Sequence, residues 1–389
     1  MPEQTQRRKI RLAGRLERKG PRKLLAIDGG GIRGVLALQI LAKIESLLRE
    51  ESRNPDYRLA DYFDYVAGTS TGAIIASGIS LGMSVDAILD FYLKNGSEMF
   101  DKASVVRRLQ YKYESEPLAE QLKIAFRSAP TLGSEEIETL LLIVLRNATT
   151  DSPWPISNNP FAKYNDTSHP ANNLKFPLWQ LVRASTAAPT FFPPEVITVE
   201  GKPFVFVDGG VTMYNNPAFQ MFLMATVDRY WINAPPAERG FETGTGKMLI
   251  VSVGTGTSAG ENYSLKPEEM HILFNATSIP AALMYAALNE QDFLCRVFGD
   301  CAAGPVLDRE VDTMIASKGP LREKLFRYAR YNADLTAEGL RDLGCGGISP
   351  SDVQKMDSVE FIPALQQVGK AAAARDVSRE HFNFEIFRP

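Results

Sequence analysis

The chain has 389 residues with 43 Lys and Arg against 46 Asp and Glu, a formal net charge of −3. That length fits two or three average domains or one large α/β unit, and 44% apolar with 23% charged residues describes a globular chain and excludes global disorder. The near-neutral balance excludes a bulk nucleic-acid binder, which needs a net basic face. Cys295, Cys301 and Cys345, with no C-x-x-C pair, give neither a disulfide scaffold nor a zinc site, which favours a reducing compartment.

In chain order, residues 1–22 read as a basic arm, with nine Lys or Arg in residues 1–23 against two Glu. Such an arm is either solvated or drawn to anionic lipid head groups, at about 1 kcal/mol per basic residue near the surface. Arg7-Arg8 is a twin arginine, but Arg11, Arg15, Arg18 and Lys19 interrupt the apolar stretch a signal sequence needs. The expectation is a cytoplasmic protein, with peripheral contact at a membrane left open, so N-x-S/T sequences such as Asn147-Ala148-Thr149 carry no weight.

Lys23–Asp28 is a short apolar strand, followed by Gly29-Gly30-Gly31 and a helix with Leu38, Leu41, Ile44 and Leu48 at helical spacing. Tyr62–Ala67 is a second strand, again running into a glycine-flanked loop and a helix. Tyr65–Val85 is a 21-residue run without charge, long enough to span a membrane, but ten of its residues are Gly, Ser or Thr. It therefore reads as strand, loop and helix. Further strands are expected at Leu140–Leu145, Phe204–Val207 and Met248–Val253, with helices near Pro117–Phe126, Leu178–Ala187, Asn216–Tyr230 and Ile279–Cys295. Thr149–Ala171 is rich in Pro, Asn and Ser and reads as a long loop, and Leu325–Asn332 as an edge strand. Strands alternating with helices predict an α/β fold, a mostly parallel central sheet flanked by helices. Residues 23–260 form that domain, and 261–389 a mainly helical part packed on it.

Three segments carry chemistry. Gly68-Thr69-Ser70-Thr71-Gly72 lies between an apolar strand and an apolar helix, the nucleophile-elbow pattern, in which flanking glycines let a strained turn lift the serine hydroxyl. Asp28-Gly29-Gly30-Gly31-Ile32-Arg33-Gly34 exposes several backbone N–H groups at a helix N-terminus, suited to a phosphate or a transient oxyanion. It also satisfies G-x-G-x-x-G, but Glu50 and Glu51, near the distance where a dinucleotide site wants its acid, end a helix instead of a strand. Beside an elbow, the oxyanion reading is the better one. Asp208-Gly209-Gly210 ends the strand Phe204–Val207, where Asp208 could accept the serine proton directly. The three histidines, His169, His271 and His381, lie in no motif.

Together these segments resemble the patatin-like phospholipase family. The resemblance is reinforced by Ala184–Pro194, by Asn215-Asn216-Pro217-Ala218 and by Ser252-Val253-Gly254-Thr255-Gly256, in the family's order over residues 23–256. It implies a three-layer α/β/α fold and a lipid acyl hydrolase of phospholipase A type, with no metal or cofactor. In that family a Ser–Asp dyad does the chemistry. The resemblance makes Ser70 the nucleophile and Asp208 the base, with Gly68 and Gly72 flanking the elbow. Gly29, Gly30, Gly31 and Arg33 form the oxyanion site, Arg33 supporting the loop or meeting a head-group phosphate. The implied partner is a phospholipid or membrane surface and not nucleic acid; a homo-oligomer and a small-molecule activator stay open.

Two other enzyme readings remain. One is an α/β-hydrolase carboxylesterase with a Ser–His–Asp triad using His271 or His381; the other is a patatin-like effector that degrades membrane phospholipid when a signalling nucleotide gates it. A non-enzymatic nucleotide-binding regulator using Gly29–Gly34 is a third possibility. Phe191, Phe192, Phe219, Met221 and Phe222 are candidates to line an acyl pocket.

Overall fold

The computed structural model describes residues 11–99, 116–127, 130–257, 272–357 and 359–389. The first half of the chain runs α1 (Leu12–Glu17), β1 (Arg22–Ile27), α2 (Gly34–Ser52), α3 (Leu59–Tyr62), β2 (Tyr65–Thr69), α4 (Thr71–Ser80), α5 (Val85–Met99) and α6 (Glu116–Ala125). Next come β3 (Leu140–Asn147), β4 (Ser152–Ser157), α7 (Leu178–Ser185), β5 (Glu195–Val199), β6 (Lys202–Asp208), α8 (Ala218–Thr226) and β7 (Met248–Val253). The remainder holds α9 (Ile272–Phe298), β8 (Asp300–Ala303), β9 (Arg327–Tyr331), α10 (Ala337–Asp342), α11 (Pro350–Val353) and α12 (Ile362–Asp376).

One nine-stranded sheet has the order β5-β6-β3-β2-β1-β7-β9-β8, with β4 paired to β3 beside that path. β1 pairs in parallel with β2 and β7, and β2–β3, β7–β9 and β8–β9 are parallel too. The β3–β4, β3–β6 and β5–β6 pairs are antiparallel. Central strands are buried on both faces and so read as continuous apolar runs. Leu25, Ile27, Val66, Leu141 and Val251 belong to the core on one face, with α2 and α4. Their neighbours Leu24, Ala26, Ala67, Leu142 and Ile250 belong to the other, with α8. The chain is thus a mostly parallel sheet between helical layers, with a helical C-terminal part. Among the described residues no helix is long and apolar enough to cross a membrane.

Several expectations need correction. The second strand starts at Tyr65, because Tyr62 closes the short helix α3. The stretch read as a loop, Thr149–Ala171, contains β4, whose two prolines hid it; among the described residues β4 pairs with β3 alone, so their missing N–H groups cost no ladder bond on its other side. Leu325–Asn332 does contain a strand, β9, but it is not at the edge: β8, four residues long and unread in the sequence, lies outside it. From residue 11 onward the basic arm is partly docked on the fold, although Ala13, Gly14, Glu17, Lys19 and Gly20 stay exposed. Arg15 is buried, its Nε donates to Glu138 O at 2.6 Å, and Arg18 Nη2 donates to both oxygens of buried Asp64 at 2.7 and 2.8 Å. Arg7, Arg8 and Lys9 fall outside the described residues.

Candidate active site

Ser70 occupies the one-residue joint between β2 and α4 with φ 56° and ψ −123°. A serine at positive φ is strained backbone, of the kind held in place only where surrounding structure demands it. The surroundings do demand it. A Cβ on Gly68 would lie 2.0 Å from Gly72 O, and one on Gly72 would lie 2.3 Å from Ile27 O, so β1, β2 and α4 close on each other only through glycine. The Ser70 amide donates to Ser185 Oγ at 2.9 Å, and that hydroxyl donates to Val144 O at 2.7 Å, tying the elbow to α7 and β3.

Sheet register brings Asp208 to this joint. β4 covers one edge of β3 over Leu142–Asn147, so β2 and β6 must succeed each other along the opposite edge. Thr69 pairs with Val144, the last pair of β2, and Asp208 pairs with Leu145, the next residue of β3. The aspartate therefore arrives just where β2 has ended and Ser70 begins. Ser70 Oγ donates to Asp208 Oδ2 at 2.6 Å, and the Gly210 amide donates to Asp208 Oδ1 at 2.6 Å. Burial drives the Asp208 pKa up to about 6, although the bonds from Ser70 and Gly210 and the charge of Arg183 pull it down. A carboxylate with a pKa so close to neutrality is a stronger base than an exposed one.

Neither described histidine serves this pair. His169 is an exposed loop residue whose Nδ1 accepts from the Ala171 amide, and His381 Nδ1 bonds Tyr331 Oη at 3.1 Å. His271 lies outside the described residues.

The glycine loop leaves β1 beside the elbow. Gly29 is not free to stabilise an anion: its amide donates to Asn215 O at 3.1 Å, while its carbonyl accepts from Thr255 Oγ1 at 2.7 Å. The Gly30 and Gly31 amides make no hydrogen bond among the described residues. A Cβ on Gly30 would meet Thr255 Oγ1 at 2.1 Å, which is why the loop tolerates no side chain there. The Thr71 amide, in the first turn of α4, is a further donor without a partner among the described residues, of the kind helix starts provide. Arg33 Nε reaches Gly30 O at 3.4 Å; burial lowers its pKa to about 10, with Asp28 opposing.

Asp28 itself is locked underneath. Arg330 of β9 grips it at 2.8 and 2.5 Å and also donates to Ser252 Oγ at 2.7 Å. Burial raises the Asp28 pKa, with Arg330 opposing; burial also acts against the Arg330 charge, but Asp28 and Asp292 hold its pKa above the ordinary value. Sequence reasoning missed Arg330, Ser185 and Thr71 as parts of the site. Ser185 did carry a signal, because it lies in the Ala184–Pro194 run.

Ser70, Asp208 and the glycine loop open on one cavity of about 310 Å³. Ile74, Leu118, Phe191, Phe192, Met284 and Leu288 make much of its remaining wall apolar. Phe219, Met221 and Phe222 do not reach it. They pack in the core on the other face of the sheet, with ring centroids 5.6 Å apart for Phe219–Phe298 and 4.7 Å for Phe222–Phe326. Among the described residues no group of three or more His, Cys, Asp or Glu is arranged to hold a metal ion. A hydroxyl bonded to a buried carboxylate, facing free amides across an apolar cavity, suits acyl transfer.

Known proteins resemble this chain over more than half of its length. Patatin-17 of Solanum cardiophyllum is 31% identical over 249 residues, 61% of this chain and 61% of its own length. The chain thus spans less than two thirds of that relative. A cGAMP-activated phospholipase of Vibrio cholerae is 28% identical over 257 residues, 64% of this chain and 67% of its own. The solved structure of VipD from Legionella pneumophila matches with a TM-score of 0.36 and 14% identity over 90% of this chain and 67% of that one, too distant to carry an inference. The model of the patatin-like phospholipase family matches residues 25–222, just over half of the chain. The chain belongs to the patatin-like phospholipase family.

Proposed function

We propose that the protein is a lipid acyl hydrolase of phospholipase A type, cleaving fatty-acyl esters of glycerophospholipids through a Ser70–Asp208 dyad. The observation that carries this reading is the 2.6 Å bond from Ser70 Oγ to Asp208 Oδ2 at the head of a largely apolar cavity. Asp208 takes the serine proton as Ser70 Oγ attacks the ester carbonyl, and the amides of Gly30, Gly31 and Thr71 receive the oxyanion. Collapse of the tetrahedral intermediate returns that proton to the departing lysolipid alcohol and leaves an acyl-serine. Water then attacks the acyl-enzyme with Asp208 again as base, releasing the fatty acid and regenerating Ser70. Arg33 braces the glycine loop or meets the head-group phosphate at the cavity wall. No cofactor enters these steps.

Incubating the protein with mixed phospholipid vesicles and identifying products by mass spectrometry tests this. Wild type should release fatty acid and lysophospholipid, and Ser70→Ala should retain less than about a thousandth of that rate. Lipid left unchanged both with and without an added cyclic dinucleotide, or product from a folded Ser70→Ala protein, would refute the proposal. The Vibrio cholerae relative supports a second reading, in which a nucleotide gates the same site. In that case a cyclic dinucleotide added at fixed lipid concentration raises the rate, whereas the ungated enzyme ignores it.

A further inference from the structure

Ile74 and Gly78 are one turn apart on the same face of α4, about 6 Å along its axis, and Ser70 caps the start of that helix four residues before Ile74. Ser70 and Ile74 line the main cavity, along with Tyr92 of α5 and Leu118 of α6. Ile74 and Gly78 line a second, much smaller void of about 10 Å³, whose other walls include Ile88 and Phe91 of α5 and Phe126 just beyond α6. The smaller void lies between α4 and the α5–α6 pair, the main cavity reaches that pair at Tyr92 and Leu118, and Ile74 belongs to the wall of each. It is 6% exposed, whereas its neighbours Ala73 and Ile75 are fully buried. The void behind it persists because position 78 has no side chain: a Cβ there would lie 3.0 Å from Ile88 Cδ1. Protein interiors are otherwise filled to near crystal density, so a gap that shares the Ile74 side chain with an apolar cavity marks a place where that cavity would lengthen.

We propose that Ile74 is a specificity-determining residue: it ends the acyl pocket and sets the longest chain that fits beside Ser70. The proposal rests on the acyl-hydrolase reading. The substrate's fatty-acyl chain lies along α4, its carbonyl at Ser70 and its methyl end against the Ile74 side chain. A chain one methylene too long must displace Ile74 or leave the pocket, and a misfit of that size changes rates by about tenfold or more.

The test uses alkyl fluorophosphonates of increasing chain length, which couple to a serine nucleophile with loss of fluoride. Their labelling of Ser70 is followed by intact-protein mass. In wild type the inactivation rate should rise with chain length and then drop at a limit. Ile74→Ala should move that limit up by about two to four carbons, since deleting most of a buried side chain leaves a comparable space, and Ile74→Phe should move it down. Ile74→Val is a milder change that guards against misfolding and should move it up by about one carbon. In a folded Ile74→Ala protein, adding Gly78→Ala should reverse part of the gain by filling the void behind. Identical chain-length profiles for wild type and the folded variants would overturn the proposal. Absence of labelling at every length, with Ser70→Ala as control, would instead sink the serine-hydrolase reading itself and the inference with it.

Discussion

Asp208 carries a cost that its chemistry requires. Its carboxyl is 5% exposed, and burial lifts its pKa from 3.8 to about 6. The base must be ionised, so ester hydrolysis should be lost as pH falls through about 6 and should level off above it. A pH profile of kcat/KM on a soluble ester checks this; a plateau continuing down to pH 4 would show that another group takes the proton. The effect on stability has the opposite sense. Because the folded pKa lies above the unfolded one, the folded state binds the proton more tightly, and this contribution to stability is lost as pH rises through about 6. At pH 7.5 the ionised form therefore opposes folding, and Asp208→Asn, whose amide oxygen can still accept from Gly210, should gain about 1–3 kcal/mol. Urea unfolding measures it, and a loss of stability would contradict the cause assigned to the raised pKa.

At the level of elements, the site forms where four strand ends meet, and local spacing made part of it legible. The elbow and glycine loop show in the sequence because Gly68, Gly72 and Gly30 answer contacts so close that no other residue fits. Asp208 also shows, because a strand ends on it and turns at Gly209-Gly210. What stayed hidden depends on register between distant segments. Arg330 meets Asp28 across 302 residues, and Ser185 meets Ser70 across 115; no local pattern announces either. β4, with two prolines, and β5 and β8, at five and four residues, gave too short or broken a period to read. Arg330→Met should destabilise the protein by about 3–5 kcal/mol, because it leaves the buried Asp28 carboxylate without its partner. Asp28→Asn added to that variant should recover part of the loss. Equal damage in single and double variants by denaturant melts would mean the pair does not anchor the loop.

Across the whole molecule, a sheet covered on both faces leaves its strand ends as the place for chemistry, and the N-terminal segment closes the opposite end. Asp64, just before β2, is 1% exposed and is held by Arg18, with Arg15 Nη1 at 3.5 Å and the Lys23 amide at 2.9 Å. Deleting residues 1–20 removes both arginines, so it should destabilise the fold by about 3–5 kcal/mol, the cost typical of breaking a buried pair. A truncated protein with an unchanged melting temperature would show that the segment is merely laid against the surface. Vesicle binding by such a truncation is interpretable only beside that melt.

Whether the carboxylate or an imidazole takes the serine proton is decided by one comparison. Turnover of a soluble ester is measured for Asp208→Asn beside His169→Ala, His271→Ala and His381→Ala, each verified as folded. The dyad predicts that Asp208→Asn loses at least about a thousandfold while all three histidine variants stay within about tenfold of wild type. A folded histidine variant as damaged as Asp208→Asn would contradict it.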